Sequence, residues 1–207
     1  MAKNPKIYEI DNLPNRLTVL RILLIPVIMT CLGVNLELSH SISDSTKLIL
    51  SYVAAWTFVL ASITDYVDGH IARKNNIVTV FGSFLDPIAD KFLVVASLIL
   101  LMALSRLNFL IVTILILREM YITSLRLLAN DHGISVPVGP LGKWKTATQM
   151  TGIPFLMAFD RPWGIPMPEI GTVVIYFSAI LSVYSALEYT LGTLKKFQHK
   201  RRQALES

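Results

Sequence analysis

Four aspartates fall within 26 residues of this 207-residue chain, as Asp65-x-x-Asp68 and then Asp86-x-x-x-Asp90. Residues three or four apart share a helix face, so each pair offers two carboxylates on one side of its helix. Gly69 and Ala72 lie along the first stripe, and Arg73 follows. Two such pairs on consecutive antiparallel helices would converge on one point. In apolar surroundings each aspartate costs roughly 2.5–3.5 kcal/mol at a membrane helix centre, so four approach about 10 kcal/mol without partners. Arg73, Lys74 and Lys91 are too few and too near water to neutralise them. Two Mg²⁺ or Mn²⁺ ions would bring four positive charges and prefer oxygen ligands. The plainer reading is a set of ion pairs or a water-filled cavity. Paired divalent ions suit displacement at phosphorus, where they orient phosphates and stabilise the leaving oxygen. Small residues at 69 and 72 would let a phosphate, or simply a neighbouring helix, approach the backbone. Arg73 could fork onto phosphate oxygens or anchor at the membrane interface.

The elements that must position these acids are membrane helices. Hydrophobic residues make up 53% of the chain and charged residues 16%, and the mean hydropathy is +0.56. That is too apolar for an ordinary soluble domain. The expected fold is an all-α membrane protein with six transmembrane helices, at about 17–36, 47–72, 84–105, 108–130, 143–160 and 169–193. Polar or turn-forming segments separate them, and no repeat or linker divides the chain. It reads as a single catalytic membrane domain over 1–207, with an N-terminal segment at 1–16 and a basic tail at 194–207. Met1 to Asn15 is polar and lacks the pattern of a secretory signal, so the first helix is expected to remain in the mature protein. The sole cysteine, Cys31, excludes an internal disulfide and a cysteine metal cluster, and reads as packing.

With six crossings, fifteen of the 19 Lys and Arg residues fall on the side that carries both termini. The positive-inside rule makes that side cytoplasmic, in an inner membrane. The run from Lys195 to Arg202 then reads as a topology anchor with affinity for anionic lipid, not as a nucleic-acid site. The four histidines lack ligand spacing. Pro26 and Pro154 should kink their helices, and Pro87 either sits in a first turn or bends its helix.

The pattern Asp65-x-x-Asp68-Gly69-x-x-Ala72-Arg73, eight residues, Gly82-x-x-x-Asp86-x-x-x-Asp90 resembles the CDP-alcohol phosphotransferase motif at all eight fixed positions. The resemblance implies six transmembrane helices, a homodimer, a CDP-linked lipid donor, and two divalent ions held by Asp65, Asp68, Asp86 and Asp90. It also implies Asp90 as general base. By position, Asp68, Gly69, Ala72, Arg73 and Gly82 become donor contacts, with Asn15, Thr18 and Thr79 as additions. Further stretches, namely Asn15-x-x-Thr18-x-x-Arg21, Arg118-Glu119 and Gly142-Lys143-Trp144-Lys145-Thr146, are similar to the bacterial branch that uses glycerol-3-phosphate.

An anionic acceptor needs cations beyond those that serve CDP. The candidates are Arg118, Arg126, Lys143 and Lys145, with Thr146 beside them. Arg118 within a membrane helix should face a polar cavity, because adjacent helical residues point about 100° apart and pairing with Glu119 is awkward. Lys143 and Lys145 could equally be interfacial anchors. The expected reaction is attack of glycerol-3-phosphate on CDP-diacylglycerol with release of CMP. Sister enzymes that use inositol phosphate, serine or a second lipid such as phosphatidylglycerol are the near alternative, and a cation transporter is the remote one.

Overall fold

The computed structural model describes the backbone of residues 13–75, 80–134 and 139–206, with the side chains of these apart from 13–14, 66–75, 80–81, 83–84 and 204–206. Six α-helices occur among the described residues: α1 (Leu13–Glu37), α2 (Asp44–Asn75), α3 (Val80–Ala103), α4 (Phe109–Asp131), α5 (Pro140–Ala158) and α6 (Met167–Glu206). A short 3₁₀ turn at Pro162–Gly164 precedes α6, and the described residues contain no strand. The all-helical expectation is met. Among the described residues three segments are long and apolar enough to cross a membrane: Asn15–Glu37, Asp44–Asp65 and Met167–Gln203. Charges at Asp86, Asp90 and Lys91 interrupt α3, Arg118, Glu119 and Arg126 interrupt α4, and Lys143 and Lys145 interrupt α5.

Most helix bounds shift by a few residues from expectation, and two of the shifts change the reading. Position 193 does not end the last helix: α6 continues to Glu206, so the basic tail is helical, as its Lys, Arg, Gln, Ala and Leu content favours. Pro87 is not in a first turn, because α3 begins at Val80 and carries Pro87 inside it. There the ring removes one backbone hydrogen bond directly beside Asp86.

The chain divides into two compact units: residues 1–107 with 153–171, and residues 108–152 with 172–207. In the first unit α1 packs on α2 and α3 through Ile28, Leu32, Ala54, Phe58, Ala61, Leu93 and Leu98, all buried, as is Cys31. At Gly171 a Cβ would stand 2.9 Å from Leu156 Cγ and 3.0 Å from its backbone nitrogen, so the start of α6 can approach the end of α5 only with glycine there. Asn35 of α1 donates to Lys47 O at 3.0 Å and to Ser51 Oγ at 3.1 Å on α2. In the second unit Val112, Leu115, Ile122, Ile153's neighbour Gly152, and Ile175 carry the packing; a Cβ at 152 would meet Ile175 Cδ1 at 2.9 Å.

Both units are apolar outside and partly polar inside. Leu23 and Trp56 in the first, and Leu127, Val173, Ile180 and Leu187 in the second, are each more than half exposed. Arg21, Ser51 and Ser97 in the first, and Lys145, Gln149, Ser178, Ser182 and Thr193 in the second, are buried. Water would penalise such an arrangement and a bilayer favours it. The chain is an integral membrane protein.

Arg106, in the turn between α3 and α4, has a structural role in the first unit. Its NH1 donates to Met157 O at 2.5 Å and Leu156 O at 3.3 Å, its NH2 donates to Ser51 Oγ at 3.0 Å, and its guanidinium lies 4.7 Å from the Phe159 ring centre. It therefore satisfies carbonyls at the α5 C-terminus that no helical N–H reaches. Burial pushes its pKa down to about 10, which leaves it charged at neutral pH. Arg106→Ala should destabilise the protein by roughly 2–4 kcal/mol, because it orphans those carbonyls. Equilibrium unfolding in mixed micelles reads this directly, and an unchanged midpoint would refute the capping role.

Candidate active site

The helical spacing that put Asp86 and Asp90 on one face holds on α3, and Asp65 faces them from α2. The residue that joins the two helices comes from α1. Arg21 has no side-chain exposure, and its NH1 lies 2.8 Å from Asp65 Oδ1 and 2.6 Å from Asp90 Oδ1. One nitrogen therefore brings carboxylates of α2 and α3 to a single point. One turn earlier on α1, the buried Thr18 donates through Oγ1 to Asp86 Oδ1 at 2.5 Å. Asn15 is buried a further turn back, and Gly82 is buried at the start of α3.

Arg21 was legible only as part of a spacing, Asn15-x-x-Thr18-x-x-Arg21, which keeps three polar residues on one side of α1. The charges weighed from sequence against the four acids were Arg73, Lys74 and Lys91. A buried guanidinium between two carboxylates is an ion pair that must hold three helices in register, since losing either partner strands a charge in a poor solvent.

Asp68, Gly69, Ala72 and Arg73 lie on α2, with side chains outside the described set, and Thr79 lies outside the described residues altogether. Among the described residues no three His, Cys, Asp or Glu side chains gather as a metal cluster. The donor chemistry nonetheless suits a hard cation. Asp65, Asp86 and Asp90 bring three carboxyl groups against the single charge of Arg21, and all three are only partly buried, so their oxygens remain approachable.

The second unit contains the basic residues. Arg118 on α4 donates from Nε to Ser182 O at 2.9 Å and from NH2 to Ser185 Oγ at 3.1 Å, both on α6, and its NH1 lies 3.3 Å from Glu119 Oε2. Lys145 on α5 is buried and gives its Nζ to the same Glu119 oxygen at 2.5 Å. Ser178 Oγ of α6 donates to Lys145 O at 3.1 Å. The adjacent Arg118 and Glu119 do pair, because the long guanidinium stem bends back across the 100° between them. Arg126 and Lys143 are exposed, with the Arg126 guanidinium 5.7 Å from the centre of the Tyr189 ring. Thr146 is exposed and its Oγ1 bonds Gly142 O at 3.2 Å.

Sequence reasoning missed the polar face of α6. Ser178, Ser182, Ser185, Tyr189 and Thr193 are all buried and recur every three or four residues. That recurrence was the available signal. Within a helix this apolar it marks a face turned to protein and not to lipid.

Carboxylates on two helices, locked by a buried arginine on a third, make an arrangement suited to phosphate chemistry in an integral membrane protein. The sequence matches the CDP-alcohol phosphatidyltransferase family over residues 11–184, and the chain belongs to that family. It is similar to a CDP-diacylglycerol–glycerol-3-phosphate 3-phosphatidyltransferase from Bacillus subtilis, 36% identical over 179 residues, which covers 86% of this chain and 93% of that protein. A protein of the same name from Rickettsia felis is 36% identical over 187 residues, covering 90% of this chain and 97% of the relative. A CMP-forming cardiolipin synthase from Oryza sativa subsp. japonica is 38% identical over 150 residues, or 64% of this chain and 45% of that protein.

Proposed function

We propose that this protein transfers the phosphatidyl group of CDP-diacylglycerol to sn-glycerol-3-phosphate, forming phosphatidylglycerophosphate and CMP. The single observation that carries the reading is the meeting of Asp65 and Asp90 at Arg21, inside a chain that aligns along most of its length with relatives named for this reaction. Asp65, Asp68, Asp86 and Asp90 would hold two divalent ions, Mg²⁺ or Mn²⁺, which when bound supply neutralisation of the diphosphate and of departing CMP.

The chain's own residues do the rest. Asp90 takes the proton of the acceptor hydroxyl as that oxygen bonds to the lipid-side phosphorus, and the bond from phosphorus to the CMP oxygen breaks. Asp65 and Arg21 keep the Asp90 carboxylate aimed, and Thr18 does the same for Asp86. Asn15, Thr18, Asp68, Gly69, Ala72, Arg73, Thr79 and Gly82 bind the CDP-lipid. Arg118, Arg126, Lys143, Lys145 and Thr146 bind the phosphate of the acceptor. The chain crosses the inner membrane six times, with both termini and the catalytic carboxylates cytoplasmic, and the protein works as a homodimer. The donor's tails can then stay in the bilayer while the acceptor arrives from solution.

Purified protein given CDP-diacylglycerol, glycerol-3-phosphate and Mg²⁺ or Mn²⁺ in mixed micelles should yield CMP and phosphatidylglycerophosphate in equal amounts by mass spectrometry. Divalent-ion flux into liposomes without CMP would instead support a transporter. The cardiolipin synthase match favours one second reading, in which phosphatidylglycerol is the acceptor. Arg118→Ala separates them: it should raise the KM for glycerol-3-phosphate by about tenfold and leave that for CDP-diacylglycerol nearly unchanged. A rise in the donor KM alone would overturn this assignment of Arg118 to the acceptor.

A further inference from the structure

We infer that Glu119 is a positioning residue for the acceptor, holding the Lys145 ammonium where it meets the acceptor's phosphate. This rests on the reading that the cations of α4 and α5 bind that phosphate. The geometry separates the roles of the three charged groups. Arg118 commits Nε and NH2 to Ser182 O and Ser185 Oγ on α6, so its guanidinium is fixed against a neighbouring helix. Among the described residues Lys145 has no comparable brace for its head group. Its side chain is 7% exposed and its Nζ contacts Glu119 Oε2 at 2.5 Å, whereas Arg118 NH1 reaches the same oxygen only at 3.3 Å. An ammonium has three donors, and the carboxylate takes one of them.

A buried ammonium requires a counter-charge to keep its place, and a single carboxylate oxygen shared by two cations sets the distance between them. Ser178 Oγ holds the Lys145 backbone carbonyl from α6, so the backbone is placed independently of the head group. Loss of the Glu119 charge should therefore release the Lys145 head group while the helices stay packed. The three groups together carry one net positive charge, and the nearby Arg126 adds a second, which suits a phosphomonoester better than a neutral alcohol.

Steady-state CMP release by the full-length protein in mixed micelles tests this. Glu119→Gln should raise the KM for glycerol-3-phosphate by about tenfold, with kcat and the KM for CDP-diacylglycerol within about twofold of wild type. Glu119→Asp keeps the charge at shorter reach and should fall between the two. Lys145→Met should raise the same KM, and adding Glu119→Gln to it should change little more. A merely structural role predicts loss of active protein, which lowers the rate without moving KM. If Lys145→Met raises the acceptor KM and neither Glu119 variant does, the positioning role is wrong and the acceptor assignment stands. If Lys145→Met also leaves it unchanged, the acceptor assignment itself fails and the positioning role falls with it.

Discussion

Asp90→Asn is expected to reduce CMP release by about 10³-fold or more while CDP-diacylglycerol still binds. The amide cannot accept the hydroxyl proton, so the step in which the acceptor oxygen bonds to phosphorus loses its base. It keeps the size of the carboxyl group and can still contact Arg21 through its oxygen, so α1 and α3 should remain joined. The proposed donor contacts spread over α1, α2 and the start of α3, so donor binding should largely survive. Single-turnover CMP release beside an equilibrium measurement of CDP-lipid binding reads both halves. Turnover within tenfold of wild type would remove Asp90 from the base role.

Asp65→Asn should act differently, through the metal. It removes one of the charges proposed to hold the divalent ions and also frees Arg21 NH1 from one of its two carboxylates. The Mg²⁺ concentration for half-maximal activity should rise about tenfold or more, with weaker Mn²⁺ binding by electron paramagnetic resonance and weaker donor binding as well. Asp86→Asn should follow the same pattern, since Asp86 is the acceptor of the Thr18 hydrogen bond. An unchanged metal requirement in both variants would exclude these carboxylates as ligands.

The acids were legible because their chemistry and their spacing coincide: four aspartates in an apolar stretch need a reason, and i, i+3 and i, i+4 spacing gives each pair one face. Helix positions were legible for the same reason that membrane helices usually are, since apolar length is a strong signal. What joins the helices was not. Spacing shows that Thr18 and Arg21 share a side of α1 with Asn15, but it cannot say that the side meets Asp86, Asp65 and Asp90. The partners of Arg106 and Lys145 were not legible either, because they lie 50 residues away at Leu156 and 26 residues away at Glu119. The Ser178 to Thr193 face of α6 was missed because serine and threonine are small and common in membrane helices, and only burial shows that they form one polar face.

The acceptor decides the central claim. Initial rates of CMP release, measured with purified protein, CDP-diacylglycerol and Mn²⁺ or Mg²⁺ against glycerol-3-phosphate, inositol phosphate, serine and phosphatidylglycerol, test it most directly. The account predicts a kcat/KM for glycerol-3-phosphate at least about a hundredfold above every other acceptor, the discrimination expected when buried charges are matched to one ligand. Equal or faster release with inositol phosphate, serine or phosphatidylglycerol would contradict it.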